Sequence, residues 1–553
     1  MKMKRALLLA GLAGLFYLVG GTALSLTNPD ETFYTQTARE MVRHGEWMTP
    51  YLFDQPQFEK PILLYWLLRI AFIPFGMTAF AARFFPALFG ILGVVAVYGL
   101  ARAGFGNEKK AFGAGLVLMS GVLYAGMAKT VFTDMIFSVL ILCSLMFFFL
   151  SHCQVMGKRA GILLCFVSAA LAVLAKGPLG FAIPALAILL FLIIRRDMKY
   201  LFTREMLWGL ILFLLIAVPW YALMMAKYGR SFTDEFFIND HWRRVLKAEH
   251  ESNDTWFYYP LWMVAGLFPW SLFVAAAVVW FGRRLKPPAD GFRVFLVCWI
   301  GAVLLSFQFA HSKLPSYILP LFPALALLPA DFIWNDEEDR RTARVLHVLS
   351  VSTSVLLVAL SACLCGAAIW YSIRVSPLGP PCFVVTSLSL IVSLLLSIVV
   401  ARRQWPAGYA IAGCSFVLLI LAPLPFLQYI EPYVSSKNAC RYLLDRRTPS
   451  TTLLCSKLFV RGARYYTGRD IAVLGVNERN FFSPHPIPFL DSEEKVKAFL
   501  STQPVTHAFL KKSDAEHIQD AIGSKFVCTQ LAVVGNEYIV EIVQKTRLTS
   551  SMP

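Results

Sequence analysis

The chain has 553 residues, 57% of them hydrophobic and only 15% charged, with a formal net charge of +17. A soluble domain carries roughly 25% charged residues, so the composition excludes an ordinary soluble protein and predicts a polytopic α-helical membrane protein. The Lys and Arg fall in short clusters between apolar runs and not in one patch, which makes them topology signals and excludes nucleic acid as an expected partner.

The first apolar run follows the basic start MKMKR and reaches about Leu26. It is longer than the core of a secretory signal and has no small-residue cleavage site, so it is expected to stay as an uncleaved first span. Further runs, each near the length needed to cross a hydrocarbon core, predict spans at 78–101, 111–128, 131–151, 161–175, 179–195, 206–226, 257–281, 292–309, 314–333, 345–373, 382–401 and 407–428. With the first run at 6–26, the expectation is about 13 transmembrane helices.

The shorter run Pro61–Phe75 is expected to be an interfacial or re-entrant helix. Left out of the spans, it gives alternate short loops MKMKR, RAGFGNEKK, HCQVMGKR, RRDMKYLFTR, GRRLKPPAD, WNDEEDRRTAR and RRQ, nearly all clearly basic. Basic short loops face the cytoplasm, which predicts a cytoplasmic N-terminus and an outer C-terminus. Counting it as a span would reverse every later loop and lose this pattern. The outer side then holds two long loops, 27–77 and 227–256, and a C-terminal domain at 431–553, beyond the membrane domain at 1–430.

In that last segment TTLLCSKLF, RDIAVLGV, THAFLKK and YIVEIVQK alternate as short strands, with helix-compatible pieces DSEEKVKAFLST and KSDAEHIQDAI between them. They predict a small α/β domain. Its Cys440, Cys455 and Cys528 allow one disulfide in an oxidising compartment. Most other cysteines lie within apolar runs, and no CxxC or Cys/His zinc spacing occurs.

Uncommon charges gather on the predicted outer side. Asp30 and Glu31 open a segment with helical spacing, where they suit a helix N-terminus, and Asn28 or Asp30 is a candidate cap. Asp134 stands one turn inside the outer end of a span, where a carboxylate needs a partner or a wet cavity; Lys129 is the structural candidate. Lys176 flanks a Gly–Pro turn, and Lys313 and Tyr317 open another span, where a snorkelling lysine and a belt tyrosine are the plain alternatives. The loop NDHWRRVLKAEHES brings His241, Arg243 and Arg244. With Lys60, these cations face Asp30, Glu59 and Asp134, a mixture suited to a phosphate-bearing substrate.

The stretches NPDETFYTQTAREM, YLFDQPQFEKPILLYW, TDMIF, LAKGPLG, NDHWRR, SKLPSYILPLFPALALL and the later GARYYTGR resemble the polyprenyl-phosphate-dependent C-type glycosyltransferases. FEKP and KLPSYILP resemble most narrowly the lipid A aminoarabinose transferases, whereas the DE pair and KGP are shared with protein mannosyltransferases. The resemblance implies a C-type glycosyltransferase fold with a periplasmic C-terminal domain in the bacterial inner membrane. It also implies an undecaprenyl-phosphate sugar donor and a lipid A acceptor among membrane lipids, and it leads us to expect a monomer. Asp30 takes the place of the catalytic acid and Asp134 that of a second required acid; Lys60 takes that of a donor-phosphate ligand and Tyr317 lines the donor pocket. Glu31, Lys176, Lys313, Arg243 and Arg244 join the substrate-binding set. Glu59 and His241 fall where family members hold a divalent metal, Zn or Mg. Phe33 and Ile62 depart from the pattern, standing where the closest relatives carry a basic residue and a second proline.

A transporter or lipid flippase is the rival class, but such proteins place their ionisable residues near the bilayer midplane. Here they cluster at the outer ends of spans, which favours an enzyme. A sibling transferase with another sugar or a protein hydroxyl acceptor is the alternative within the class.

Overall fold

A computed structural model describes residues 2–246, 253–287, 289–335, 340–375, 377–402, 407–416, 424–448, 451–476 and 487–545. The apolar runs fold as helices because each satisfies its own backbone hydrogen bonds, as a hydrocarbon environment demands. Seven described helices are long and apolar enough to cross a membrane, from Ala79–Phe105 to Pro380–Ala401. An eighth is reached by Glu108–Ser120 joined to Val122–Ala128 across a 66° bend. The chain is therefore a multi-pass helical membrane protein.

Other predicted spans are shorter or broken. Leu179–Arg195 and Gly291–Phe307 have 17 residues each, about 26 Å of helix. The run expected at 257–281 is interrupted between Tyr258–Ala265 and Ser271–Arg284, around the cis Phe268–Pro269 bond.

The chain divides into two compact units. The first comprises Met1–Gly21, Arg83–Thr233 and His241–Pro425; the second comprises Thr22–Ala82, Asp234–Asp240 and Phe426–Pro553. The loop 27–77 thus belongs to the same unit as the C-terminal segment.

In the second unit a six-stranded sheet runs in the order Phe489–Leu490, Ile471–Leu474, Leu453–Ser456, Val505–Leu510, Glu537–Gln544, Phe526–Val534. The first four strands are parallel and the last two antiparallel. Leu453–Ser456 is buried at every position, as a central parallel strand covered on both faces must be. Leu454, Ala472, Ala508, Leu510, Val540 and Ile542 of the sheet pack with Val496, Leu500, Ile518 and Ile522 of helices Glu493–Ser501 and Lys512–Ile522. The four strands and two helices expected from the sequence are present. Cys440, Cys455 and Cys528 are all free thiols, so the disulfide allowed by their number does not form.

Pro61–Phe75 contains a 13-residue helix, Leu63–Phe75, about 20 Å long and too short to cross a bilayer. It buries Leu64, Tyr65, Leu68 and Phe72 and exposes Ile70, Ile73 and Phe75, an amphipathic pattern that suits an interfacial helix.

Candidate active site

The loop 27–77 is built around the helix Asp30–Arg43. Neither Asn28 nor Asp30 caps it: the N-cap is Pro29, without a side-chain bond. Glu31 reaches back instead, its Oε2 accepting from the Thr27 amide and hydroxyl at 3.0 Å each, which satisfies an amide just upstream of the helix. Glu31 is fully buried and Asp30 half-buried. The Asn28 side chain donates to Ser436 Oγ at 2.6 Å, and its amide donates to the Val434 carbonyl at 2.9 Å.

Downstream, Tyr51–Leu52 and Gln55–Pro56 pair as a short hairpin. Its turn residues Phe53 and Asp54 have φ of 55° and 58°, the pair of positive angles that a two-residue hairpin turn requires. This turn delivers the chain to Gln57, whose Oε1 accepts from the Glu59 amide at 2.9 Å and whose Nε2 donates to the Tyr65 hydroxyl at 2.8 Å. Glu59 and Lys60 are both half-buried.

Two arginines of the C-terminal helix Val460–Thr467 hold this loop. Arg461 Nη2 donates to both oxygens of Glu59, at 3.2 and 3.5 Å, and its guanidinium lies over the Phe33 ring at 4.2 Å. Arg464 is buried among Glu40 (3.5 Å), Asp54 and Asp470 (2.9 Å). Glu40 also accepts from Gln36 Nε2 at 2.6 Å and the Asp54 amide at 2.8 Å. A Cβ on Gly462 would lie 2.0 Å from Asn28 Oδ1, so glycine is required for the helix to approach this closely. Burial raises the pKa of Tyr465 in the same helix.

In the first unit a different set converges. Lys176 ends the helix Lys158–Lys176, and Gly177 follows with φ of 108°, which lets the chain reverse at once. The Lys176 ammonium pairs with Asp134 and lies 4.6 Å from the centre of the Tyr317 ring. Asp134 is 4% exposed, and a carboxylate so buried needs this partner. Lys129, the partner considered from the sequence, turns elsewhere, its ammonium 3.5 Å from the Val19 carbonyl; burial pushes its pKa down to about 8. Lys313, though near Tyr317 in sequence, is bound by Asp254 at 3.1 Å and the Thr255 carbonyl at 3.2 Å. His311 contacts the same carboxylate at 2.6 Å, and this hydrogen bond, with the smaller help of Lys313, holds Asp254 below the usual carboxylate range.

The structure thus brings Asp134, Lys176 and Tyr317 together in one unit, while Asp30, Glu31, Glu59 and Lys60 belong to the other. Arg243 is exposed in the short helix Arg243–Leu246. The side chains of His241 and Arg244 lie outside the described residues. The metal expectation at Glu59 meets an obstacle, since a carboxylate facing a guanidinium on both oxygens is a poor cation ligand. Among the described residues no group of three or more His, Cys, Asp or Glu could hold a metal ion. Arg461, Arg464 and Asp254 were missed from the sequence; the spacing of Arg461 and Arg464, which places both on one helix face, was the available signal.

Residues 8–230 match the family described as dolichyl-phosphate-mannose-protein mannosyltransferase. The chain is 32% identical over 331 residues to an undecaprenyl phosphate-alpha-4-amino-4-deoxy-L-arabinose arabinosyl transferase of Edwardsiella ictaluri, covering 59% of this chain and 58% of the relative. That match spans less than two thirds of the relative's length. A transferase of the same name from Pectobacterium atrosepticum is 29% identical over 474 residues, covering 84% of this chain and 81% of the relative. The crystal structure of ArnT from Cupriavidus metallidurans bound to undecaprenyl phosphate superposes with a TM-score of 0.77 at 21% identity, over 98% of both chains. The chain is thus similar in sequence to these arabinosyl transferases and in fold to the ArnT structure, with the mannosyltransferase family match over its N-terminal part.

Proposed function

We propose that this protein is an integral membrane glycosyltransferase that moves 4-amino-4-deoxy-L-arabinose, or a related sugar, from undecaprenyl phosphate to a lipid A phosphate. The observation that carries the reading is its sequence likeness to transferases named for that donor and sugar. The modification would add positive charge to lipopolysaccharide and give resistance to cationic peptides such as polymyxin.

In this reading the chain crosses the bacterial inner membrane thirteen times, with the N-terminus cytoplasmic and the C-terminal domain periplasmic, and acts as a monomer. Lys60 binds the donor phosphate and stabilises the negative charge that grows on it as the sugar departs, often the largest catalytic contribution. Lys176, Lys313, Arg243 and Arg244 are further substrate-binding residues, Tyr317 lines the donor pocket and Glu31 supports substrate binding. Asp134 is the second required acid and sets the position of the Lys176 ammonium. The acceptor phosphate is ionised near neutral pH and needs no base, so Asp30 orients it or neutralises the sugar's ammonium. An acceptor oxygen forms its bond to the anomeric carbon as the bond from that carbon to the donor phosphate breaks. The electron pair leaves with undecaprenyl phosphate and the configuration inverts. No step is routed through a metal.

The test is mass spectrometry of lipid A from cells with and without the protein, where aminoarabinose, galactosamine and no addition give different masses. Asp30→Asn and Lys60→Ala variants, expressed normally, are expected to lose transfer. Unchanged lipid A, or full transfer by both variants, would overturn the proposal or its site respectively.

A further inference from the structure

Fourteen residues beyond Tyr317 on the Pro315–Ile333 element, roughly 20 Å along a helix, Asp331 is fully buried. Lys110 binds one of its oxygens at 2.7 Å and Arg293 the other at 2.9 Å, while Arg293 also reaches Asp290 at 2.6 Å. Lys110, Arg293 and Asp290, but not the Asp331 behind them, line a cleft of about 660 Å³ whose lining also includes Arg283, Arg284 and Lys286. The Arg284 guanidinium lies 3.3 Å over the Trp280 ring, which fixes its plane and leaves its N–H groups at the ring's edge.

The plain explanation of these cations is loop charge that sets topology, aided by the dipole at the C-terminus of the helix Ser271–Arg284. That explanation needs neither concavity nor order. Here five cations line one cavity, two of them fixed by a buried carboxylate and one by a tryptophan. Asp290 and Asp331 offset two, leaving an excess of three positive charges. The cleft sits at the ends of apolar helices, and its volume suits a small polar group and not a macromolecule.

We propose that this cleft binds the phosphate of an anionic phospholipid headgroup, at the predicted cytoplasmic end of the membrane unit. Basic pockets between membrane helices recognise such groups through phosphate oxygens. Arg283, Arg284 and Lys286 are the ligating cations, with Lys110 and Arg293 supplying the fixed field behind them.

The experiment uses the full-length protein, delipidated in a neutral detergent, with phosphatidylglycerol, phosphatidylcholine or inorganic phosphate added. Bound lipid is read by native mass spectrometry and stability by thermal unfolding. Phosphatidylglycerol is expected to stay bound to the wild type and raise its Tm, and phosphatidylcholine to do neither. Arg283→Ala with Arg284→Ala and Lys286→Ala should weaken binding about a hundredfold, from roughly fivefold per cation near a charged surface. Arg283 and Lys286 are exposed, so a double variant of those two tests the cleft without disturbing packing and should lose about twentyfold. Lys60→Ala, confined to the proposed donor site, should keep the lipid. Stabilisation by inorganic phosphate equal to that by the lipid would keep the anion site but assign it to a soluble phosphate. Equal binding of both lipids, or undiminished phosphatidylglycerol binding by the variants, would overturn the proposal.

Discussion

Arg461 and Glu59, 402 positions apart in sequence, form an ion pair in which one guanidinium nitrogen contacts both carboxylate oxygens. Both side chains are largely shielded from solvent, so the pair is screened less than a surface salt bridge. Glu59 immediately precedes Lys60, so Arg461 acts on the loop that presents the proposed donor-phosphate ligand. Arg461→Ala is expected to lower kcat for sugar transfer about tenfold, equivalent to about 1.4 kcal/mol, with a smaller change in KM. Arg461→Lys should recover part of the loss. Steady-state kinetics with the lipid-linked donor checks this, and an unchanged kcat in Arg461→Ala would remove Arg461 as a positioning residue.

Arg464 answers three acids at once, and Glu40 among them is fully buried. Removing one partner of a buried ionic group leaves the others uncompensated at about 3–5 kcal/mol. Arg464→Met should therefore lower the Tm of the full chain by several degrees, and Arg464→Met combined with Glu40→Leu should regain much of it. Thermal unfolding of the single and double variants measures this coupling.

Lys176 and Asp134 predict a non-additive pair. Asp134→Asn leaves a lysine beside Tyr317 without its anion, and Lys176→Met leaves a buried carboxylate. Each single variant should cut transfer by a hundredfold or so, the scale of losing one positioned electrostatic group. The double variant should be little worse than either alone. Additive losses in the cycle would show that the two act independently.

Glu537 begins a sheet strand, is 1% exposed, and its Oε2 has no hydrogen-bond partner among the described residues. Burial pushes its pKa up to about 7. The folded state therefore holds a proton that the unfolded chain releases near pH 4.5, so this group's contribution to stability declines as pH rises from there and levels off above about 7. The full decline is on the order of 3 kcal/mol. Glu537→Gln should be more stable than wild type at pH 8 and no more stable at pH 5, as read by denaturant unfolding at the two values.

Much of this architecture is legible in the sequence because it is local. Basic loops alternate with apolar runs, and TTLLCSKLF, THAFLKK and YIVEIVQK carry the period of strands, so spans and sheet follow from nearest-neighbour patterns. Asp134 and Lys176 are also visible singly, as charges at helix ends. Their pairing is not, because Lys129 is nearer in sequence and only the tight turn at Gly177 shows which lysine the fold delivers. Arg464 and Glu40 are separated by 424 positions, and no periodicity connects them. Arg461, which faces Glu59, is likewise not legible from the residues around Glu59, since a carboxylate's partner is set by tertiary packing.

The bonds from Asn28 and the helix after it to Val434, Ser436 and Arg464 also order events in time. A ribosome makes Asp30 more than 400 residues before Arg464, so the loop carrying the proposed catalytic acid waits for its support while the intervening chain is made. The protein should be inserted in the membrane long before it is competent, with activity appearing only once the segment carrying Arg464 has been made and folded. A stalled or truncated chain would then be inert, unable to bind and discard the scarce lipid-linked sugar.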